Sequence, residues 1–360
     1  MELRNCPDFE TVLKRFDAFW RREILDRPPA TVHVDSERTG KWPQKKHATQ
    51  RERWLDVEYQ VACVEAGFEH AVFAGEHFPA YHPNVGPDIC ATLWGAELEF
   101  APDTSWAKPC LKSCAELLGR KPNYENVYWQ TLRRLTDLSL ERGRGKWITG
   151  VPDLHTNADA LSALLNPEEL CVEIAEDAAT VAKACDHVTR FFPQMYEDFW
   201  KRIEAAGQAC TSWTRIPFRG RYYNVQCDFI CMISPKMAEQ VVFPYLTAEV
   251  HYLERSIYHL DGPMALKHLD RLLQIPELGA IQWVYGAGQG PSSKWVDVYR
   301  RIQAGGKSLQ LIADDLNDAQ RVAEQIKPQG VWLTPGGSYT RAEAEDFLKW
   351  LARWAAKKGR

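Results

Sequence analysis

The sequence predicts an α/β fold, a single (β/α)8 barrel of the TIM type with an N-terminal helical extension. Three observations carry that expectation. From about residue 146 onward, short apolar runs rich in β-formers alternate with helical patterns. Two more such runs lie upstream, which brings the total to about the eight or nine strands that a closed barrel needs. No low-complexity segment, fixed-period repeat or Pro/Gly/Ser linker divides the 360 residues, and one barrel can hold a chain of that length. An open, doubly wound sheet is the alternative arrangement of the same elements.

The first element opens on Pro7-Asp8 and carries Phe9, Val12, Leu13, Phe16, Phe19 and Trp20 at helical spacing, until Pro28-Pro29 stops it. Residues 1–27 are therefore read as the extension and 28–360 as the barrel. "ATVHVD" (30–35) and "HAVFAG" (70–75) are the upstream strands, and the polar stretch 36–55 between them reads as a surface excursion. The later strands are "KWITGV" (146–151), "ACTSWTRI" (209–216), "YYNVQCDF" (222–229), "SIYHLD" (256–261), "AIQWVYG" (280–286), "SLQLIAD" (308–314) and "GVWLT" (330–334). Helical patterns cover 176–206, 235–255, 264–274, 293–304, 317–327 and 341–358.

Composition narrows the function. A net charge of -4 gives nucleic acid or an anionic membrane nothing to attract. The N-terminus lacks an apolar signal core, and no run of about 18 apolar residues occurs, so a cytoplasmic protein is expected. Ten scattered cysteines without a paired framework point to free thiols rather than a disulfide scaffold.

In either α/β arrangement ligands gather at the carboxyl ends of the strands. The polar residues there are Glu76 and His77, Asp153 and His155, Gln226 to Asp228, His259 and Asp261, Gln282 and Tyr285, and Asp314 with Asp315. His-Leu-Asp occurs twice, at 259–261 and 268–270. In the first copy the residues two apart share one side of a strand, so His259 and Asp261 can face one centre. Cys227 is the best thiolate to join them, and Cys227, His259 and Asp261 with one open position would suit a catalytic divalent ion. The alternative is a hydrogen-bonded pair that orients the Gly262-Pro263 loop. The second copy lies in a helix, where positions two apart diverge, and reads as surface or packing groups.

Asp153 and His155 repeat the spacing and could serve as general acid or base, with a helix N-cap at Thr156, Asn157 or Asp159 as the bland reading. "AGEHFPAYHPNVGPD" (74–88) forms a rigid, polar-lined loop around Glu76 and Tyr81 that suits a pocket wall. "VYGAGQGP" (284–291) offers backbone N–H groups to an anion but lacks the spacing of nucleotide loops.

Several phrases taken together, "QCDFICMISPKMAEQVVFPYL", "SIYHLDGPMALKHLDRLLQIPEL", "AIQWVYGAGQGP" and "FAGEHFPAYHPNVGPD", resemble the uroporphyrinogen decarboxylase superfamily, in its divergent corrinoid-methyltransferase-like branch. The resemblance runs from about Pro28 to the C-terminus and implies a (β/α) barrel. It also implies limits. The arginine-bearing "RQAGR" segment with which porphyrinogen decarboxylases hold substrate carboxylates has no counterpart after Pro29. Zinc-dependent methyltransferases of the superfamily use a His-x-Cys pair and a later Gly-Cys pair. Here His259 matches the first ligand, Asp261 stands at the first cysteine, and Gly330-Val331 replaces the second pair.

The resulting expectation is a methyltransferase-like barrel enzyme with Zn²⁺ or another divalent transition metal at His259, Asp261 and Cys227, acting on a small molecule or on a methyl group carried by a corrinoid protein. Asp228, Asp153, His155 and Glu76 are the candidates for proton transfer. Trp213, Gln226, Gln282, Trp283, Tyr285 and Tyr81 are the candidates for substrate contact. A metal-free decarboxylase-like lyase and a non-catalytic binding subunit are the alternatives, and a homodimer is admitted.

Overall fold

The computed structural model describes residues 2–35 and 42–358. Its centre is a five-stranded, all-parallel sheet in the order β11-β10-β9-β8-β7. The strands are β7 (Tyr222–Gln226), β8 (Arg255–Asp261), β9 (Ala280–Val284), β10 (Ser308–Ala313) and β11 (Val331–Pro335). Upstream lie β1 (Thr31–His33) and β2 (Phe73–Gly75), paired antiparallel, and β3 (Ala80–Tyr81) and β6 (Ile148–Thr149), paired parallel; β4 (Leu98–Phe100) and β5 (Ser105–Ala107) form a hairpin. Main-chain hydrogen bonds continue past the sheet: Leu333 donates to Pro29 (3.0 Å), Glu76 to Ala30 (2.7 Å), Gly150 to Tyr81 (2.7 Å) and Val151 to Thr211 (2.8 Å).

The central strands are buried along nearly their whole length, as parallel strands covered on both faces must be. Helices join them, and their starts are set by local chemistry. Ser234 accepts the N–H of Met237 with Pro235 in the first turn, and Asp315 accepts that of Asp318. The helix Phe9–Arg21 buries Phe16, Phe19 and Trp20 in the same core. Ser308 Oγ, at the start of β10, donates to Phe19 O (2.7 Å), and the Trp20 ring meets that of Tyr222 at the start of β7 (5.7 Å). This helix therefore covers the amino ends of the strands and leaves the carboxyl ends to carry polar groups.

Eight of the nine strand expectations fall on observed strands. "ACTSWTRI" does not: an isolated bridge from Cys210 to Phe218 is followed by a turn, with Arg215 at φ 58°. Ala209 and Ile216 are buried in the core without pairing in a ladder. The helices 57–69, 127–142 and 157–165 and the β4–β5 hairpin fill the less regular middle. Of the expected excursion 36–55, residues 36–41 lie outside the described residues, and the rest ends in the helix Gln50–Leu55, capped by Thr49.

Candidate functional site

Gln226, His259, Gln282 and Gln310 stand in register across β7, β8, β9 and β10. Equal register places their side chains on one face. Three of them, with Thr334, form a directional chain. Thr334 Oγ1 donates to the carbonyl of Leu311 (3.2 Å), which can only accept. Its oxygen must therefore accept from Gln310 Nε2 (3.2 Å), leaving Gln310 Oε1 to accept from Gln282 Nε2 (2.6 Å). Gln282 Oε1 then accepts from His259 Nδ1. The chain places a proton on Nδ1 and turns Nε2 of His259 toward Asp228.

Asp228 begins a 3-10 turn after β7. Its N–H and that of Phe229 are both accepted by the Asp159 carboxylate (3.0 and 2.9 Å). His259 Nε2 lies 4.0 Å from Asp228 Oδ1, and ligand atoms of Asp228, His259 and Asp261 all fall within 4.8 Å of one another. Partial burial and the neighbouring Asp159 push the Asp228 carboxyl up to about 6. Gly262, at φ 75°, turns the chain away just after Asp261, a conformation that costs a glycine little.

Beside this group lies an ion-pair network. His155 sits between Asp153 (Nε2–Oδ2 3.1 Å) and Asp159 (Nδ1–Oδ2 3.5 Å). Burial opposes its charge, yet the two carboxylates outweigh burial and hold its pKa well above the usual histidine range. Asp153 shows the mirror case: burial raises its pKa, and the imidazolium and the Gln226 amide bring it down overall. Asp153 also accepts from Gln226 Nε2 (2.8 Å) and Trp213 Nε1 (3.2 Å), and the Trp213 ring meets that of His259 edge-on at 5.1 Å. A cavity of about 320 Å³ reaches His155, Asp159 and Asp228 from outside, past Asp88 and Pro109.

The chain shares its fold with a methyltransferase. That solved structure, a "methyltransferase from Methanosarcina mazei", aligns over 95% of this chain and 98% of its own with a TM-score of 0.59 at 12% identity. No family model and no curated protein matches the sequence.

The structure thus brings His259, Asp261, Asp228, Asp153, His155, Trp213, Gln226 and Gln282 to one end of the sheet. Cys227 is not among them. It follows Gln226 in extended conformation and so faces the opposite side, where its buried thiol stands near Cys185 and Tyr258 and burial drives its pKa well up. Trp283 alternates with Gln282 in the same way and packs against Trp295 (5.3 Å) on the helix side. Tyr285 gives its hydroxyl to Asp314. The body of Tyr81 lies in β3, and burial raises its hydroxyl's pKa.

Glu76 is placed elsewhere. Its carboxylate is fully buried and accepts from Arg27 (2.7 and 3.0 Å), Arg15 (2.7 Å) and the N–H of Ala30 (2.6 Å), which ties the N-terminal helix to the strands. In the glycine-rich 284–291 region, the N–H groups of Ser292 and Ser293 that follow are already taken by Asp318. His268 is buried and bonds the Ile230 carbonyl (2.9 Å), while Asp270 pairs with Arg301, so the second His-Leu-Asp is packing and surface.

Asp159, Glu249 and Arg215 join the site without standing among the sequence-based candidates. Asp159 stands four residues after His155, where a starting helix returns it to the same face. Glu249 lies in the mostly apolar helix Phe243–Tyr252 and accepts from Thr156 Oγ1 and Asn157 Nδ2; burial raises its carboxyl to about 8. A lone carboxylate in an apolar helix was the available signal.

Proposed function

We propose that this chain is a divalent-metal-dependent, methyltransferase-like enzyme acting on a small substrate, with Asp228, His259 and Asp261 as the protein ligands. The observation that carries the reading is the directional chain Thr334–Gln310–Gln282–His259. A metal-binding imidazole characteristically donates its other N–H to an oxygen acceptor, which fixes its tautomer and raises its basicity. One imidazole and two carboxylates form a harder set than the thiolates of the zinc methyltransferases, open to zinc or another transition ion. When bound, the ion would lower the pKa of a coordinated thiol or water enough to keep it nucleophilic at neutral pH. The group His155, Asp159 and Asp228 is also close enough to hold an ion. Both nitrogens of His155 face carboxylates, however, and we read that group as the network that positions Asp228.

The chain's own residues do the positioning. Asp159 fixes the turn that bears Asp228, His155 bridges Asp153 and Asp159, and Trp213 buttresses the His259 ring from Asp153. Methyl transfer is supported by the shared fold with the Methanosarcina mazei protein, which is why the same proposal takes the chain as a divergent (β/α)8 barrel of the uroporphyrinogen decarboxylase superfamily, with residues 1–27 sealing its lower end. A corrinoid-bearing partner protein as methyl source belongs to this proposal. Metal content, measured by plasma mass spectrometry for wild type, His259→Ala and Asp228→Asn, tests it. About one equivalent in the wild type, lost in both variants, is expected; no metal after zinc is supplied would overturn it and favour a metal-free lyase or a binding subunit.

A further inference from the structure

We infer that Arg215, backed by His77 and His82, holds an oxyanion group of the substrate, most simply a carboxylate. This rests on the small-substrate reading above and adds the substrate's charge. Arg215 has no carboxylate partner among the described residues: its single side-chain hydrogen bond is from Nη1 to His77 Nε2 (3.4 Å). A guanidinium kept half-buried without a counter-charge is costly. Arg215 also occupies the left-handed region at φ 58°, which a non-glycine residue adopts at a cost of about 1 kcal/mol or more. Two unfavourable features coincide at a residue whose side chain meets no counter-charge among the described residues.

Its surroundings suit an arriving anion. The His33 and His77 rings stand 4.6 Å apart, and burial lowers the pKa of His77 to about 3 and of His82 to about 4. Both are therefore neutral at physiological pH and do not compete with Arg215 for the role of cation. The location lies near the candidate metal group: Trp213, two residues before Arg215, touches Asp153 and His259, and His82 feels both Asp153 and Arg215. A short molecule could place its oxyanion on Arg215 and its reacting end near His259. A guanidinium suits this task because its planar donors match a carboxylate in pairs.

The test compares binding of 3-mercaptopropionate with that of uncharged 3-mercaptopropan-1-ol by calorimetry, in wild type, Arg215→Met, Arg215→Lys and His259→Ala. Wild type should prefer the carboxylate about tenfold to a hundredfold, the range of one charge-assisted pair. Arg215→Met should abolish the preference while melting no lower than wild type, because it removes an unpaired buried charge. Arg215→Lys should restore part of it. His259→Ala should keep the preference even if its metal is lost, which separates this inference from the metal reading. Equal binding of both thiols by wild type, a preference that survives in Arg215→Met, or a preference lost in His259→Ala would each overturn the assignment.

Discussion

Replacing Gln282 by leucine probes the hydrogen-bond chain at its most sensitive link. The side chain is buried, and the change removes both the acceptor of His259 Nδ1–H and the donor to Gln310 Oε1. Each orphaned buried group costs about 1–3 kcal/mol, or about 2–6 together. Burying a leucine side chain returns about 1.5–3 kcal/mol, so the net loss is on the order of 0.5–3 kcal/mol. For a protein of this size that is several degrees of melting temperature. Metal affinity should fall further, by about 10- to 100-fold, because His259 loses the partner that holds its tautomer and orientation.

Gln310→Leu supplies the control. It orphans Gln282 Nε2 and Thr334 but leaves the Gln282 oxygen on His259. Its stability cost should be similar and its effect on metal affinity much smaller. Thermal melts paired with zinc competition against a chromophoric chelator measure both quantities. If Gln282→Leu destabilises the fold as expected but binds zinc as tightly as wild type, the chain is structural and the reasoning that links it to a metal fails.

Further outcomes follow from the same contacts. Glu76→Ala should cost about 3–5 kcal/mol in urea denaturation with metal content unchanged, because it strands Arg27 and the Ala30 N–H in the interior. Cys227→Ser should leave metal stoichiometry at the wild-type value, since the thiol faces Cys185 and not His259; loss of metal would contradict the placement. Glu249 keeps its proton up to about 8 in the folded chain, while the unfolded chain ionises in the ordinary carboxylate range. Its contribution is therefore complete below that range and drains away as pH rises to about 8. Glu249→Gln should accordingly gain stability over wild type progressively from pH 5 to pH 8, on the order of a few kcal/mol, and hold that gain above; melting curves that run parallel across this range would refute the assignment.

How far the sequence could disclose this site depends on the kind of information each residue carries. His259 and Asp261 were readable because the period of a strand is local: two residues apart means one side, whatever surrounds them. The same rule, applied to neighbours one apart, sets Cys227 and Trp283 on the far side from Gln226 and Gln282, whatever the chemical appeal of a thiolate or an aromatic wall. Glu76 is illegible for a different reason. A carboxylate after a strand reads as functional until its partners are known, and Arg15 and Arg27 lie 61 and 49 residues away. Pairings at that range leave no local trace.

The contrast between Glu76 and Arg215 carries the functional argument furthest. Both are charged groups drawn into the same interior, and the fold treats them oppositely. Glu76 receives two guanidiniums and a main-chain N–H, so its charge is answered within the protein and it has nothing left to offer a ligand. Arg215 receives one neutral imidazole nitrogen. Burying a charge is tolerated where it is compensated, and a compensated charge is structural; an uncompensated one persists only if something outside the chain completes it. By that criterion the conspicuous strand-end glutamate belongs to the scaffold, and the arginine hidden in an apolar run belongs with His259 and Asp228 to the proposed chemistry.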